Sequence, residues 1–288
     1  MQFLYKIPGY ILLLFGGFCL SWGGFIIRSF EEASVWQILL LRSIFFMVAL
    51  IAFLAATYKK NTFKIIKDAG FPAILGGIVM SLSFIAFVAS MSMTTVANVV
   101  FIISTQTMFL AIFGYFYLKE KVSIISFFSI LLAMSGIIIM VGDSLSSGSF
   151  LGNVIALAIP INFSILVMII RKYKNLDMVP AIFYSGVFSI IYGLILSESY
   201  LFTKHDLFMG FLLGVPQLAF GFICITIGSR TTPSATIGLL MLTETLFAPI
   251  WVWIFLKEIP PLSVLIGGAV IILAIVIKSV DKRKLINN

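Results

Sequence analysis

The segment "TTPSATIGLLMLTETLFAPIWVWIFLKEI", residues 231–259, decides how the rest of this chain is interpreted. It is apolar over more than the roughly 20 residues that a helix needs to cross a bilayer, yet Glu244 stands near its centre. A charge at that depth costs about 3 kcal/mol on insertion scales, and such residues usually face a protein-lined or water-filled interior. The segment therefore predicts a membrane-spanning helix that carries a functional acid.

A second segment, residues 96–120 ("VANVVFIISTQTMFLAIFGYFYLKE"), resembles the first at a spacing of 138 positions. Eight residues are identical at this spacing, and Gln106 falls on Glu244. The identical pairs begin with Ala97 and Ala235 and end with Glu120 and Glu258. Residues 9–28 resemble residues 152–171 in a weaker way. Two related helices thus each place a polar side chain at mid-membrane, which is typical of transporters built from internal repeats.

Composition excludes a soluble protein. The chain has 288 residues, of which 61% are hydrophobic and only 10% are charged, whereas soluble domains carry about 25% charged residues. The sequence holds no P-loop, no Gly-rich nucleotide fingerprint and no zinc signature, and its two cysteines, Cys19 and Cys224, lie in apolar runs. We therefore expect a membrane protein that is not an enzyme and needs no cofactor or metal.

Ten segments are apolar enough to span the membrane. They are 9–28, 35–57, 70–90, 96–118, 123–142, 151–170, 179–198, 207–228, 234–256 and 261–278. They divide into two halves of five, residues 1–142 and residues 143–288. Because each half has an odd number of spans, the second half enters from the opposite side. The sequence thus predicts an all-α polytopic membrane protein whose ten transmembrane helices form a 5+5 inverted-topology repeat.

Lysine and arginine orient these spans, because both residues are enriched in cytoplasmic loops. With the N-terminus in the cytoplasm, fifteen of the 19 lysines and arginines lie inside, three lie outside, and Arg42 lies within a span. The formal charge of +8 then reflects the topology, with contact to anionic lipid as a side effect, so no nucleic-acid partner is expected. We expect a multi-pass protein of the inner (plasma) membrane with both termini in the cytoplasm.

Glu244 is the foremost candidate for a binding residue. It binds a cationic part of a substrate, carries a coupling proton, or is a structural carboxyl that hydroxyls such as that of Thr243 cap. Gln106, at the repeat-related position, either faces the same cavity or forms an interhelical hydrogen bond worth about 1 kcal/mol or less. Arg42 either extends to the outer surface or pairs with a carboxylate or a substrate anion. We favour a structural or gating charge for it.

Aromatic and amide side chains supply the remaining candidates. Trp22 lies too deep for an interfacial tryptophan, and Trp251 shares the face of Glu244 two helical turns away, so both are predicted to wall the cavity or to pack between helices. The other substrate-binding candidates inside the spans are Asn162, Gln217, Phe84 and Phe220, with Phe87 beside them. Two prolines, Pro160 and Pro216, are expected to break the sixth and eighth helices near the cavity.

At these residues the chain resembles the EamA family of the drug/metabolite transporter superfamily. The resemblance rests on Trp22 and Gly23 in the first span, Arg42 in the second, the two helices that end in "LKE", and "ETLFAP" from Glu244 onward. The family often has proline directly after that glutamate, whereas Thr245 stands here. The resemblance implies ten helices, cytoplasmic termini, a cavity between helices 1, 3, 4, 6, 8 and 9, and transport of small metabolites such as amino acids, commonly export.

The prediction is a secondary transporter that works by alternating access on a small polar or zwitterionic metabolite, with a proton or another ion as a coupling partner. The alternative is a proton-coupled exporter of drugs or organic cations that uses Glu244 for antiport. A membrane-embedded enzyme would need a cluster of His, Cys and Asp at mid-depth or a serine beside a base, and the sequence offers neither. A channel is the third rival, and an inverted repeat argues against it.

Overall fold

The computed structural model describes residues 2–94, 96–141, 150–256 and 262–286, and within these ranges the chain forms helices and no strand. The α-helices are α1 (Gly9–Leu20), α2 (Gly23–Arg28), α3 (Val35–Tyr58), α4 (Thr62–Met93), α5 (Val96–Ser104), α6 (Gln106–Leu118), α7 (Ile124–Val141), α8 (Phe150–Lys172), α9 (Val179–Leu196), α10 (Lys204–Leu212), α11 (Phe220–Ser229), α12 (Ser234–Met241), α13 (Thr243–Leu256) and α14 (Leu262–Ile286). Each predicted span is helical over most of its length. The predicted boundary between the halves, together with Lys257 and Glu258, lies outside the described residues.

Seven helical segments of the described chain are long and apolar enough to cross a membrane. One of them, Val35–Met93, has 59 residues, far more than one crossing requires. It is divided at Lys59 and Gly70, whose φ angles are 50° and 55°. Two shorter apolar helices, Ile124–Ile139 and Leu262–Lys278, complete the set. Helices this apolar satisfy their own backbone hydrogen bonds in lipid, so this is an integral membrane protein.

Three of the membrane segments are interrupted near their middle. The breaks fall at Ser21–Trp22 between α1 and α2, at Thr105 between α5 and α6, and at Leu242 between α12 and α13. A wider, π-helical turn, Leu213–Ala219, joins α10 to α11 and contains Pro216, so the break expected there is a π-bulge. Each interruption leaves backbone N–H and C=O groups without intrahelical partners inside a membrane segment. Such groups can supply polar contacts to a cavity at that depth.

The break expected at Pro160 is absent, and that prediction is wrong. Helix α8 is continuous from Phe150 to Lys172. The hydroxyl of Ser164 donates to the carbonyl of Pro160 at 2.7 Å. Prolines are tolerated inside membrane helices where the surrounding structure accommodates the missing N–H, and α8 continues across Pro160 in this way.

Helix boundaries follow the repeat spacing. Adding 138 to the first residue of α5, the last of α6 and the first of α7 gives the first residue of α12, the last of α13 and the first of α14. The related segments also run in opposite directions, because Glu120 after α6 contacts the start of α12 at Ser234, whereas Ser104 at the end of α5 contacts Thr245 in α13. Helices α7 and α14 pack against each other along their lengths.

The two repeat-related segments, α5–α6 and α12–α13, cross each other, and related hydrogen bonds connect them at the crossing. Thr107 Oγ1 donates to the carbonyl of Gly238 at 3.1 Å. At the related positions, the hydroxyls of Thr245 and Ser104 lie 2.7 Å apart, and Ser104 donates to the carbonyl of Val100 at 2.8 Å. Thr107 therefore bonds directly to a backbone carbonyl of the other segment, whereas Thr245 contacts the hydroxyl of Ser104, which in turn bonds to a backbone carbonyl. Gly238 allows the close approach, because a Cβ there would lie 2.7 Å from the Cα of Thr107.

A cluster of buried polar groups closes one end of the bundle, which we call the charged end. Arg171 pairs with Glu120 and also donates to the carbonyls of Ser229 and Thr232. Glu120 in turn accepts from the backbone N–H of Ser234 at 2.8 Å. Glu120 is held by a left-handed helix end, because Lys119 has φ 54° and the N–H of Glu120 returns to the carbonyl of Gly114 at 3.0 Å.

A second cluster at the charged end ties the start of the chain to the bundle. The hydroxyls of Tyr5 and Tyr58 bond to each other and to the carboxylate of Asp177. Burial, together with the nearby charge of Asp177, raises the pKa of the Tyr5 phenol well above its ordinary value. Arg230 donates to the carbonyl of Lys174 and lies over the Tyr5 ring. The clusters connect α3, α6, α8, α11 and α12.

The opposite end is held by caps and backbone contacts. Both carboxylate oxygens of Asp206 accept from the N–H groups of Glu31 and Glu32, at 3.0 and 3.3 Å. Gln37 forms a capping box with Ser34 at the start of α3, and its amide donates to two carbonyls that follow α9. Specific hydrogen bonds therefore hold the helices together at both ends of the bundle.

We expect Glu120→Gln to destabilise the charged end by about 1–3 kcal/mol, because it leaves a largely buried arginine without its counter-charge. The side chains of Arg171 and Glu120 are only 16% and 18% exposed, so water replaces the lost partner poorly. The midpoint of thermal unfolding in detergent measures the effect. Glu32→Gln, at an exposed acid, is the matched control, and an equal shift in the two variants would contradict the assigned role of Glu120.

Candidate functional site

A cavity lies between the interrupted helices. It is lined by side chains from α1, α3, α4, α5, α6, α8, the π-helical turn, α11, α12 and α13. The lining residues are Leu20, Arg42, Met80, Ser83, Phe84, Phe87, Ile103, Gln106, Ile159, Phe163, Gln217, Leu218, Phe222, Met241 and Glu244. The cavity has a volume of about 60 Å³, which is room for a handful of waters.

Glu244 and Gln106 face this cavity from the two interrupted segments. Gln106 is the first residue of α6, and Glu244 is the second residue of α13. Each therefore follows directly on a break and lies in the first turn of a half-helix, where the free backbone N–H groups favour negative charge. Within the described residues, no hydrogen bond or ion pair occupies the carboxylate of Glu244. Both side chains are thus available to a ligand.

Arg42 also lies on the cavity wall, so it does not extend to the outer surface. It is only 1% exposed, and its Nη2 donates to the carbonyl of Phe84 at 2.8 Å. Its guanidinium carbon lies 5.1 and 5.7 Å from the ring centres of Phe84 and Phe87. The structural pairing with a carboxylate that we favoured is not found among the described residues.

Gln217 enters the cavity from the π-helical turn. Its amide nitrogen donates to the carbonyl of Leu20 at 3.1 Å. Leu20 is the last residue of α1 before the break at Ser21–Trp22. Its amide oxygen is buried without a hydrogen-bond partner. The same side chain thus satisfies the interrupted first segment and offers an acceptor to the cavity.

Phenylalanines form the apolar wall. Phe84 and Phe222 pack edge to face with ring centres 5.4 Å apart, and Phe163 packs against Phe222 at 6.4 Å. Phe84 and Phe87 were expected in this wall, whereas Phe163 and Phe222 were not singled out from the sequence. Phe220, which was expected there, is 47% exposed and lies on the outside of the bundle.

Trp22 and Trp251 lie together but do not line the cavity. Their ring centres are 5.2 Å apart, and Phe18 packs against both. The Nε1 of Trp251 donates to the hydroxyl of Ser21 at 2.7 Å. This aromatic cluster braces the break of the first segment against α13, which is the packing role that we weighed against an aromatic wall. Asn162 is half-buried on α8 and also lies outside the lining.

The described residues hold no group of three or more His, Cys, Asp or Glu side chains that would bind a metal ion. Cys19 and Cys224 are buried and free of a disulfide. Arg42 and Glu244 are the only ionisable residues among those that line the cavity. The wall thus offers one cation, one anion, two amides and an aromatic surface, a combination that is typical of pockets for small molecules.

Comparison with known proteins places this architecture in a family. The model of the EamA-like transporter family matches the chain twice, over residues 7–142 and 147–280. An uncharacterized transporter from Clostridium kluyveri is 23% identical over 258 residues, which cover 84% of this chain and 83% of the relative. Another from Methanothermobacter thermautotrophicus is 28% identical over 228 residues, which cover 74% of this chain and 62% of the relative.

A solved crystal structure of a protein shares the fold. The two superpose with a TM-score of 0.81 over 96% of this chain and 98% of the other, at 14% sequence identity. The likeness extends over nearly the whole chain and shows a shared fold. The two family matches span nearly all of the sequence, and they show that the chain belongs to the EamA-like transporter family.

Proposed function

We propose that the protein is a secondary active transporter that moves a small polar or zwitterionic metabolite, such as an amino acid, across the inner membrane by alternating access, and that its direction is export. The observation that carries the proposal is the pair of related, interrupted segments that present Gln106 and Glu244 to one cavity. Discontinuous helices whose free ends meet at a mid-membrane site are the usual means by which secondary transporters bind substrates.

We further propose ten spans in two inverted halves, residues 1–142 and 143–288. The two tandem family matches, the helix boundaries at a constant spacing and the opposite directions of the related segments support this arrangement. The division of Val35–Met93 at Lys59 and Gly70 gives two crossings in place of one. With the two shorter apolar helices the number of crossings becomes ten, and the charged end becomes the cytoplasmic side, where both termini lie.

Alternating access predicts counterflow. Purified protein in proteoliposomes loaded with an unlabelled amino acid should take up the labelled one faster than empty proteoliposomes do, because a loaded carrier returns with substrate bound. Uptake should saturate with external concentration. Flux that rises linearly without saturation, together with single-channel currents, would instead indicate a channel, and flux into protein-free liposomes sets the background.

A proton-coupled exporter of organic cations is the second candidate, and the unoccupied carboxylate of Glu244 beside a phenylalanine wall supports it. Aromatic faces bind organic cations well. In the same proteoliposomes, a pH gradient should drive accumulation of a lipophilic cation if this candidate holds. Accumulation of amino acids and none of the cation favours the first proposal.

A further inference from the structure

Arg42 is a buried cation that forms no ion pair with any of the described residues. Its side chain is 1% exposed and lies on the cavity wall. A guanidinium remains protonated in proteins and carries five N–H donors. Burying such a charge is costly unless it is paired and hydrogen-bonded. The position therefore needs a counter-charge that the described part of the chain does not place beside it.

The contacts of Arg42 account for only part of its binding capacity. Nη2 donates to the carbonyl of Phe84, and the rings of Phe84 and Phe87 face the guanidinium. Its Nε is buried and has no hydrogen-bond partner. No carboxylate oxygen of the described residues lies within 4.0 Å of its nitrogens. Donors and charge thus remain for an anion in the cavity.

Both the backbone and the guanidinium of Arg42 are held by packing. A Cβ at Gly214, in the π-helical turn, would lie 2.5 Å from the carbonyl oxygen of Arg42 and 2.7 Å from the Cβ of Phe45, so helix α3 packs directly on the turn that also supplies Gln217 to the cavity. The guanidinium itself is restrained by its bond to the carbonyl of Phe84 and by the rings of Phe84 and Phe87. A guanidinium restrained in this way loses little conformational entropy when it binds an anion.

We propose that Arg42 binds the carboxylate of a dipolar, net-neutral substrate whose ammonium group lies at Glu244. The cavity wall carries these two ionisable groups, of opposite sign, and is otherwise apolar apart from Ser83 and the two glutamines. A solute with one charge of each sign satisfies both groups, and an apolar body fits the phenylalanine wall. This inference rests on the proposed function, because it assigns the charge of the substrate at the same site.

A set of matched ligands tests the assignment. The probes are L-leucine, 3-methylbutylamine, which lacks the carboxylate, and 4-methylpentanoate, which lacks the ammonium group. Binding to purified full-length protein is measured by thermal stabilisation, since a ligand of the native state raises the melting temperature by mass action. We expect leucine to bind about tenfold to hundredfold more tightly than either analogue, because each analogue leaves one buried charge unpaired.

Variants separate an anion-binding role from a structural one. Arg42→Gln should erase the preference for leucine over 3-methylbutylamine, while its affinity for the amine stays within about threefold of the parent. Glu244→Gln should erase the preference for leucine over 4-methylpentanoate instead. Arg42→Lys keeps the charge but not the planar fork, so an intermediate preference is expected, and this variant serves if Arg42→Gln fails to fold.

Three results would overturn the assignment. Equal loss of affinity for leucine and the amine in Arg42→Gln would indicate a structural role. Wild-type binding of either analogue as tightly as leucine would exclude a dipolar requirement. Wild-type protein that binds none of the three, and is not stabilised by phenylalanine, methionine or glycine betaine, contradicts the dipolar class. Saturable counterflow of another solute in that case would leave the proposed transport activity standing.

Discussion

Glu244→Gln should abolish or uncouple transport while the protein still inserts and folds. Glutamine has nearly the same shape, and the described residues place no cation in contact with the carboxylate, so its removal leaves no internal partner unpaired. The variant loses only what the charge does in the cavity, namely binding an ammonium group or carrying a proton. Counterflow in proteoliposomes between pH 5 and 8, with melting temperature as the measure of folding, tests this expectation.

Glu198→Gln, at an exposed acid outside the cavity, is the matched control and should transport like the parent. Retained exchange of substrate without dependence on a pH gradient in Glu244→Gln would identify a proton-carrying role. Complete loss of exchange would identify a substrate-binding role. Transport at the parental rate across the whole pH range would show that the carboxyl is structural and that the assigned site is wrong.

Gly238→Ala should lower both stability and transport. The added Cβ would lie 2.7 Å from the Cα of Thr107, and because that atom belongs to the backbone, the two interrupted segments must move apart. Overpacking of this kind costs about 1–3 kcal/mol, although alanine is by itself a better helix former than glycine. The displacement also breaks the bond from Thr107 to the carbonyl of Gly238 and shifts Gln106, one residue away. Melting temperature and counterflow rate measure the two effects.

Gly268→Ala is the matched control for this substitution. Its Cβ would meet the nearest atom, Cδ2 of Leu246, at an ordinary contact distance of 3.6 Å, so we expect parental or slightly raised stability. Adding Thr107→Ala to Gly238→Ala should not restore function, because the clash is with backbone. A Gly238→Ala variant as stable and active as the control would show that the crossing tolerates wider spacing.

Much of the helical layout was predictable because apolar length and the repeat spacing set it. The predicted spans agree with the helices to within a few residues at most ends, and the eight-residue differences at the start of α4 and the end of α14 lie in polar stretches. Glu244 and Gln106 were found because polar groups are costly in the middle of an apolar segment. Five of the side chains expected at the cavity line it: Glu244, Gln106, Gln217, Phe84 and Phe87.

The helix breaks, the orientation of Phe222 and the direction of Arg42 could not be predicted, because they depend on contacts between segments that are distant in sequence. The breaks at Thr105 and Leu242 contain neither glycine nor proline, and are supported by hydroxyl contacts between segments far apart in sequence. The π-helical turn rotates the residues that follow it relative to a regular helix, and Phe222 faces the cavity while Phe220 faces outward. Sequence position also left the direction of the Arg42 side chain open, because that side chain is held by the carbonyl of Phe84 and the rings of Phe84 and Phe87, some forty residues away.

The Tyr5 cluster gives the protein a built-in optical signal. A phenol that burial and Asp177 keep protonated contributes no tyrosinate absorbance at a pH where an exposed tyrosine, with a pKa near 10, already ionises. Separation of Tyr5 from Asp177 would release that ionisation. The ultraviolet difference spectrum between wild type and Tyr5→Phe, recorded in alkaline buffer with and without ligand, would therefore report the separation of Tyr5 from Asp177 at the charged end, without an added label.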